Sequence, residues 1–505
     1  MMKKLMLLCS LSLIFFATKA TAQEQLPEMN LSKAQLEAHM RFLASDALEG
    51  RRTGSRGNDI AAAYIAAQFE AYGLKPAPGK DSYFQPVMFE SVIPPQSGSL
   101  KLGKTDFERG KDFLFLSGTA NNVKTTAVFA NYGWVDSKTS YDDYKNLDVK
   151  GKVVFVLPGT PDDQSPMAIL NAGTAKQKFA AERGAVAVIE LFRMQFPWNF
   201  FVSYFGKEAI RLADGQSAQA QPNIVYGFFK EPSPNPIKDL EAGKSMKVTL
   251  SSTGGSIAKL PSQNVCGVLE GSDPVLKNEY IILSAHYDHV GVGAQGGGAY
   301  TAQDSIFNGA RDNGFGTISL LAAAKAFYQK RPKRSVIFLA VTGEEQGLLG
   351  SQYYAENPLI PLEKTVFNLN TDAAGYNDTD NVMIVGIEHV SVRETLEAGA
   401  KPFGLGILDD PMPEQNLFQR SDHYNFVIKG VPSIFMTPAI TAFDDKITKY
   451  YHQVTDNPDT IDYDYLLKYC QAFVHTARLI GDMPKAPFWK AGDKYEEGGK
   501  KLYNK

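Results

Sequence analysis

Five short stretches in the second half of the chain concentrate groups that can hold a metal ion or move a proton. They are His286-Tyr287-Asp288, Gly309-Ala310-Arg311-Asp312-Asn313, Gly343-Glu344-Glu345, Asn370-Thr371-Asp372 and Tyr451-His452. Two divalent cations bridged by a shared carboxylate need one imidazole and one further carboxylate each, and a spare Glu beside them can take a proton from the attacking water. These stretches supply that set. Asp288, two residues after His286, is also the kind of carboxylate that can hold the imidazole's other nitrogen. The chemistry indicated is metal-assisted hydrolysis.

Such groups act together only if the fold brings them to one place. Strand-like runs fall at Tyr280 to Ala285, Ser335 to Val341, Val366 to Asn370, Val382 to Val385 and Val431 to Met436. Helical patterns follow Gly316, Leu349 and Val390 and run from Tyr463 to Ile480. That alternation predicts an α/β domain with a mostly parallel central sheet flanked by helices. In such sheets the ligand crevice lies beyond the carboxyl ends of the strands, where His286, Glu344, Glu345 and Asp372 are expected; Asp312 follows in a loop after the first strand, and His452 on a loop past the last. Each residue also has a plain structural reading, since a lone His at a strand end or a Glu pair in a loop is ordinarily solvated. Two charges emerging directly from the apolar run Ser335 to Val341 are nevertheless costly unless a cation compensates one of them. Ser421-Asp422-His423 does not read as a serine triad, because sequence neighbours do not converge from different directions. His39, His389 and His475 sit in helical patterns without partners, and His289 is expected near the site but has no carboxylate at ligand spacing.

The 505 residues, 44% of them hydrophobic, are enough for more than one core, and a formal net charge of -3 with no basic run argues against nucleic acid or an anionic membrane as partner. Residues 1–22 read as a cleaved signal peptide, with Lys3-Lys4, an apolar run from Leu5 to Ala17, and Ala20-Thr21-Ala22 at the cleavage site. The run is shorter than the roughly 20 apolar residues a membrane span needs, so the mature chain is expected without a span, in the periplasm or outside the cell. Cys9 goes with that segment. Cys266 and Cys470 remain, either as two buried thiols or as a single bridge. Ser32-Lys33-Ala34-Gln35 opens a helix through about Leu43, and a second follows Gly57. From about Asn121 to Gly254 the texture turns β-rich, without a group at catalytic spacing; its aromatic patch, Phe192 to Tyr204, reads as core or interface.

The quoted motifs resemble those of the co-catalytic zinc aminopeptidases of metallopeptidase family 28. Besides the five stretches, the chain shows Glu344-Glu345-Gln346-Gly347-Leu348-Leu349-Gly350-Ser351 and Ser421-Asp422-His423, which match that family's pattern. Phe42-Leu43-Ala44-Ser45-Asp46 with Glu49-Gly50-Arg51 looks like its N-terminal segment. Tyr141-Asp142-Asp143-Tyr144 through Gly151-Lys152-Val153-Val154 looks like an inserted protease-associated domain. The resemblance implies a zinc-exopeptidase, phosphorylase/hydrolase-like fold divided as signal peptide 1–22, N-terminal segment 23–115, insertion 116–256, peptidase domain 257–485 and polar tail 486–505. It implies two zinc ions per chain: Asp312 bridges, His286 and Asp372 hold one ion, and His452 and Glu345 hold the other. Glu344 is then the general base, Asp288 orients His286, and Tyr451 stabilises the oxyanion. Arg311 stands where the family often has an acidic residue, which implies a different charge near the substrate's entry. Peptides are the expected substrates and an aminopeptidase the expected enzyme, because the acidic site suits an α-ammonium. A carboxypeptidase or other amidohydrolase with the same metals would need converging cations, for which Arg311 and Arg420 are candidates. A receptor-like binding protein on a decayed scaffold would ordinarily have lost ligands, and none is missing here.

Overall fold

Strand runs in the C-terminal half are apolar on both faces because each is covered twice. In the computed structural model, which describes residues 29–213, 223–233 and 235–504, they belong to a nine-stranded sheet. Its strands are β1 (Phe84–Ile93), β2 (Ala209–Leu212), β3 (Ser256–Leu269), β4 (Tyr280–His286), β5 (Ser335–Val341), β6 (Thr365–Thr371), β7 (Asp378–Val385), β8 (Gly406–Asp409) and β9 (Ser433–Ala439). Their spatial order is β2-β1-β3-β5-β4-β6-β9-β7-β8. The expected parallel arrangement holds for the central strands β5, β4, β6 and β9. Outside them β3, β1 and β2 on one side and β7 on the other pair antiparallel, while β8 runs parallel to β7. The signal peptide expected at residues 1–22 lies outside the described residues.

Period-two alternation splits each central strand between two cores. Leu283 and Ala285 of β4 and Phe338 and Ala340 of β5 face a core shared with α1 (Lys33–Leu43), α2 (Arg56–Ala71), α3 (Gly316–Gln329) and, further along the chain, α5 (Tyr463–Asp482). Ile282 of β4 and Ile337, Leu339 and Val341 of β5 pack instead with Tyr354 of α4 (Leu349–Glu356) and with Phe426. Serines cap the first two helices: Ser32 accepts from the Gln35 amide and Ser55 from that of Asn58. Cys266 and Cys470 are free, buried in different cores, and burial pushes both thiols up to about 12, which resolves the alternatives in favour of two buried thiols.

A second, eight-stranded sheet runs Thr105–Phe107, Gly98–Leu102, Met246–Ser252, Asn121–Phe129, Val153–Val156, Ala187–Leu191, Val225–Phe229 and Phe113–Ser117. Here too alternate residues serve opposite faces, Val153 and Phe155 one core, Val154 and Val156 the other. The patch from Phe192 supplies that second core with Trp198 and Phe201. Strands at Gly98–Leu102, Thr105–Phe107 and Phe113–Ser117 belong to this sheet, which therefore starts ahead of the boundary expected at residue 116; Gly98–Leu102 and Phe113–Ser117 pair far on in sequence, at 246–252 and 225–229, and Thr105–Phe107 pairs with Gly98–Leu102. The two sheets are also sewn together, since β2 leaves the inserted region to pair with β1. At the C-terminus, the segment expected as a polar tail packs down: Trp489 is buried and its Nε1 donates to Gly430 O at 3.1 Å, and Glu496–Tyr503 forms a helix. Among the described residues no helix is long and apolar enough to cross a membrane.

Candidate metal centre

The central parallel strands deliver their polar residues at one edge. His286 is the last residue of β4, Asp372 follows β6 directly, and Glu344 and Glu345 lie just beyond β5. Asp312 comes from the loop between β4 and α3, and His452 from the loop after β9. Asp312 turns its two oxygens to different histidines: Oδ1 lies 3.4 Å from His286 Nε2, and Oδ2 lies 3.2 Å from His452 Nε2. His286 Nε2 is also 3.2 Å from Asp372 Oδ1 and 3.9 Å from Glu344 Oε2, while His452 Nε2 is 3.1 Å from Glu345 Oε2. Two groups of donors result, His286 with Asp312 and Asp372, and His452 with Asp312, Glu345 and His289; within each group the ligand atoms lie within 4.8 Å of one another.

Local structure makes this convergence possible. Gly309 has φ +61°, and a Cβ there would meet Asp312 O at 2.3 Å and the His289 ring at 2.6 Å, so the chain turns into Asp312 only with glycine at that position. Asp456 then ties the Asp312 loop to the His452 loop, accepting from the backbone amides of Arg311 at 2.8 Å and Asp312 at 3.3 Å. Arg311 is buried here. Its guanidinium bonds Asp456 at 2.9 Å and sits 3.6 Å from the Tyr450 ring centroid, so the charge expected near the substrate's entry is spent inside the scaffold. Arg51 is buried as well and donates to the carbonyls of Leu43, Tyr287, Asn308 and Gly309, fastening the N-terminal segment to the loops on both sides of the centre.

Asp288 takes a different position from the one expected. His286 Nδ1 makes its hydrogen bond to the backbone carbonyl of Asp288 at 3.2 Å, and the Asp288 carboxylate stands 3.7 Å away. That carboxylate instead accepts from the backbone amides of Glu344 at 3.2 Å and Glu345 at 3.4 Å and from Thr53 Oγ1 at 2.9 Å. It therefore pins the Glu pair to the end of β4. Ser421 Oγ donates to Asp372 Oδ2 at 2.6 Å and accepts from Asn370 Nδ2 at 2.8 Å, so the Ser-Asp-His run serves a metal-type donor instead of a triad. His289, expected near the site but without a carboxylate at ligand spacing, lies fully buried with Nδ1 2.8 Å from Glu345 Oε1. Its proximity to His286 was a signal; Asp456 and Thr53 gave none. Tyr451 lines the site and stacks on His452 with centroids 4.2 Å apart.

The electrostatics test whether a cation fits. Burial opposes a charge on His452, yet Glu345 and Asp312 outweigh it and push the imidazole up to about 11. Burial likewise opposes protonation of His286, and Glu344, Asp372 and Asp312 overcome it. Imidazole nitrogens and carboxylate oxygens in a field that draws positive charge this strongly form the donor set that zinc accepts. Burial, reinforced by Asp372 and Glu345 and opposed by His286, holds Glu344 well above the usual carboxylate range. A cavity of about 80 Å³ adjoins the centre, with Met383, Leu417, Phe435, Ile440 and Phe443 on its apolar wall and Arg420 beside them.

Fold and donors together define an α/β metallohydrolase scaffold. Residues 264–477 match the model of peptidase family M28. The aminopeptidase of Aneurinibacillus sp. strain AM-1 superposes with a TM-score of 0.55 at 21% identity, covering 88% of this chain and 93% of that one, and shares the fold. The vacuolar membrane protease of Saccharomyces cerevisiae is 36% identical over 185 residues, 36% of this chain; the match spans only 17% of the yeast protein's length. A probable leucine aminopeptidase 2 of Aspergillus oryzae is 27% identical over 342 residues, 66% of this chain and 59% of the relative.

Proposed function

We propose that this chain is an exported di-zinc aminopeptidase that removes residues with apolar side chains from the N-termini of peptides. The observation that carries the reading is the placement of Asp312 between His286 and His452, one oxygen toward each. His286, Asp372 and Asp312 would hold one zinc ion, and His452, Glu345 and Asp312 the other. When bound, the ions supply Lewis acidity that polarises the scissile carbonyl and makes water acidic enough to lose a proton near neutral pH. Glu344, close to His286 and free of ligand duty, takes the proton from the attacking water and returns it to the leaving amine. Tyr451 directs its hydroxyl as a donor toward the developing oxyanion. Export rests on residues 1–22, and the second sheet is assigned to a protease-associated insertion.

The apolar wall of Met383, Phe435, Ile440 and Phe443 supports an apolar first side chain, and Asp372 and Glu345 give the negative surroundings an α-ammonium needs. The carboxypeptidase reading loses one of its two expected cations, because Arg311 is committed to Asp456. Hydrolysis of leucyl arylamide by the zinc-loaded chain, set beside its N-acetylated counterpart, tests the assignment. The free amine should be cleaved and the acetylated compound left intact. Equal rates on the two would overturn it.

A further inference from the structure

A second cleft, of about 480 Å³, adjoins the same centre on the side of His452 and Glu345. Its walls come from both parts of the molecule: Arg52 and the loop Gly296–Gly298 from one, Lys207 and Glu208 from the inserted region. We propose that this cleft receives the leaving part of the peptide and recognises a carboxylate there through Lys207, with Arg52 beside it. The proposal rests on the aminopeptidase reading and adds the substrate class: short peptides with a free C-terminus, or peptides with an acidic side chain soon after the cleaved bond.

The two cavities differ in the way the two sides of a scissile bond differ. The smaller one is walled by Met383, Phe435, Ile440 and Phe443 and suits a single apolar side chain. The larger one has bare backbone and the amides of Gln295, Gln346 and Gln453 along it, which suit a peptide main chain. Bare backbone is required there. A Cβ at Gly298 would meet His452 O at 2.3 Å and one at Gly296 the Phe307 ring at 2.2 Å, whereas a Cβ at Gly297 would meet nothing within 4 Å. Glu345 and His452 line both cavities, so a bond held at the centre has one side in each.

Charge selects the ligand. Glu208 is offset by Arg52 at 2.9 Å and accepts from Ser91. Lys207 has no ion-pair partner among the described residues, which leaves its ammonium as an uncompensated charge on the wall of the cleft. Its place is fixed by the sheet, because Ala209 pairs with Val92 two residues later. An ammonium on the wall of a cleft that also holds Glu345 and His452 favours substrates bringing a carboxylate to it, more in on-rate and specificity than in raw affinity.

The test uses the zinc-loaded full chain and three tripeptides: Leu-Gly-Gly as the free acid, Leu-Gly-Gly amide and Leu-Asp-Gly amide. For the unaltered chain kcat/KM should favour a carboxylate-bearing peptide over Leu-Gly-Gly amide by about 10-fold at low salt and less at high salt. Preference for the free acid identifies the C-terminus as the source, and preference for Leu-Asp-Gly amide identifies the side chain. Lys207→Gln should bring the ratio close to one, and Lys207→Glu should invert it. No preference in the unaltered chain, or a preference undiminished in Lys207→Gln, overturns the proposal. N-acetyl-Leu-Gly-Gly reports separately on the parent reading: if it is cleaved as fast as Leu-Gly-Gly, the aminopeptidase assignment fails whether or not the carboxylate preference stands.

Discussion

Glu344 stands farther from an imidazole than the acidic residues around it, 3.9 Å from His286, whereas His452 and His289 hold Glu345 and Asp372 meets His286 at 3.2 Å. Glu344→Gln keeps the shape and removes the basic oxygen, so kcat should fall by about 10²–10⁴-fold while metal content by elemental analysis is unchanged. Substantial remaining activity would take Glu344 out of the proton-transfer role. His289 makes a different prediction. Its Nδ1–H fixes Glu345 Oε1 and leaves Oε2 toward His452, so His289→Phe should weaken zinc binding by roughly 10–100-fold, read by competition with a chelating dye. Unchanged zinc affinity would make His289 a packing residue. The ligand-type residues were readable in the sequence because each stands at or near a strand end. His289 was readable only as a neighbour of His286; its pairing was not, because its partner Glu345 lies 56 residues further on.

At the scale of elements, the parallel strands were readable because burial on both faces makes them continuous apolar runs, and their carboxyl ends located the centre. The antiparallel flank was not: β1 carries Pro86, which argues against an interior strand, and its partner β3 begins far along the chain at Ser256. One contact between elements carries a pH dependence. His39 of α1 is buried between the hydroxyl of Tyr64 in α2, at 2.7 Å, and that of Tyr72, at 3.1 Å. Burial, aided by Lys325, lowers its pKa from 6.5 to about 4. Between those values the unfolded chain binds the proton that the folded chain refuses, so stability rises with pH through this window. The contribution is complete above about 6.5 and lost as pH falls toward 4, up to ~3 kcal/mol. In urea unfolding, His39→Gln should therefore flatten the slope of stability between pH 6.5 and 4 relative to the unaltered chain. Parallel slopes for the two proteins would show that His39 does not couple folding to protons.

Across the whole molecule, one sheet presents the chemistry and the other reaches over to it through β2, so that Lys207 and Glu208 of the inserted region stand beside His452. The insertion's β-rich character was readable, whereas its sewing into the larger sheet was not, because Ala209–Leu212 is too short to announce a partner more than a hundred residues earlier. Everything assigned to the centre depends on two cations sharing Asp312. Zinc titration of the full chain, followed by elemental analysis after removal of free metal, measures this directly for the unaltered protein and for Asp312→Ala. We expect two zinc ions per unaltered chain and loss from both positions in the variant, since one side chain serves each. A single ion in the unaltered chain, or two retained in Asp312→Ala, would contradict a bridged pair.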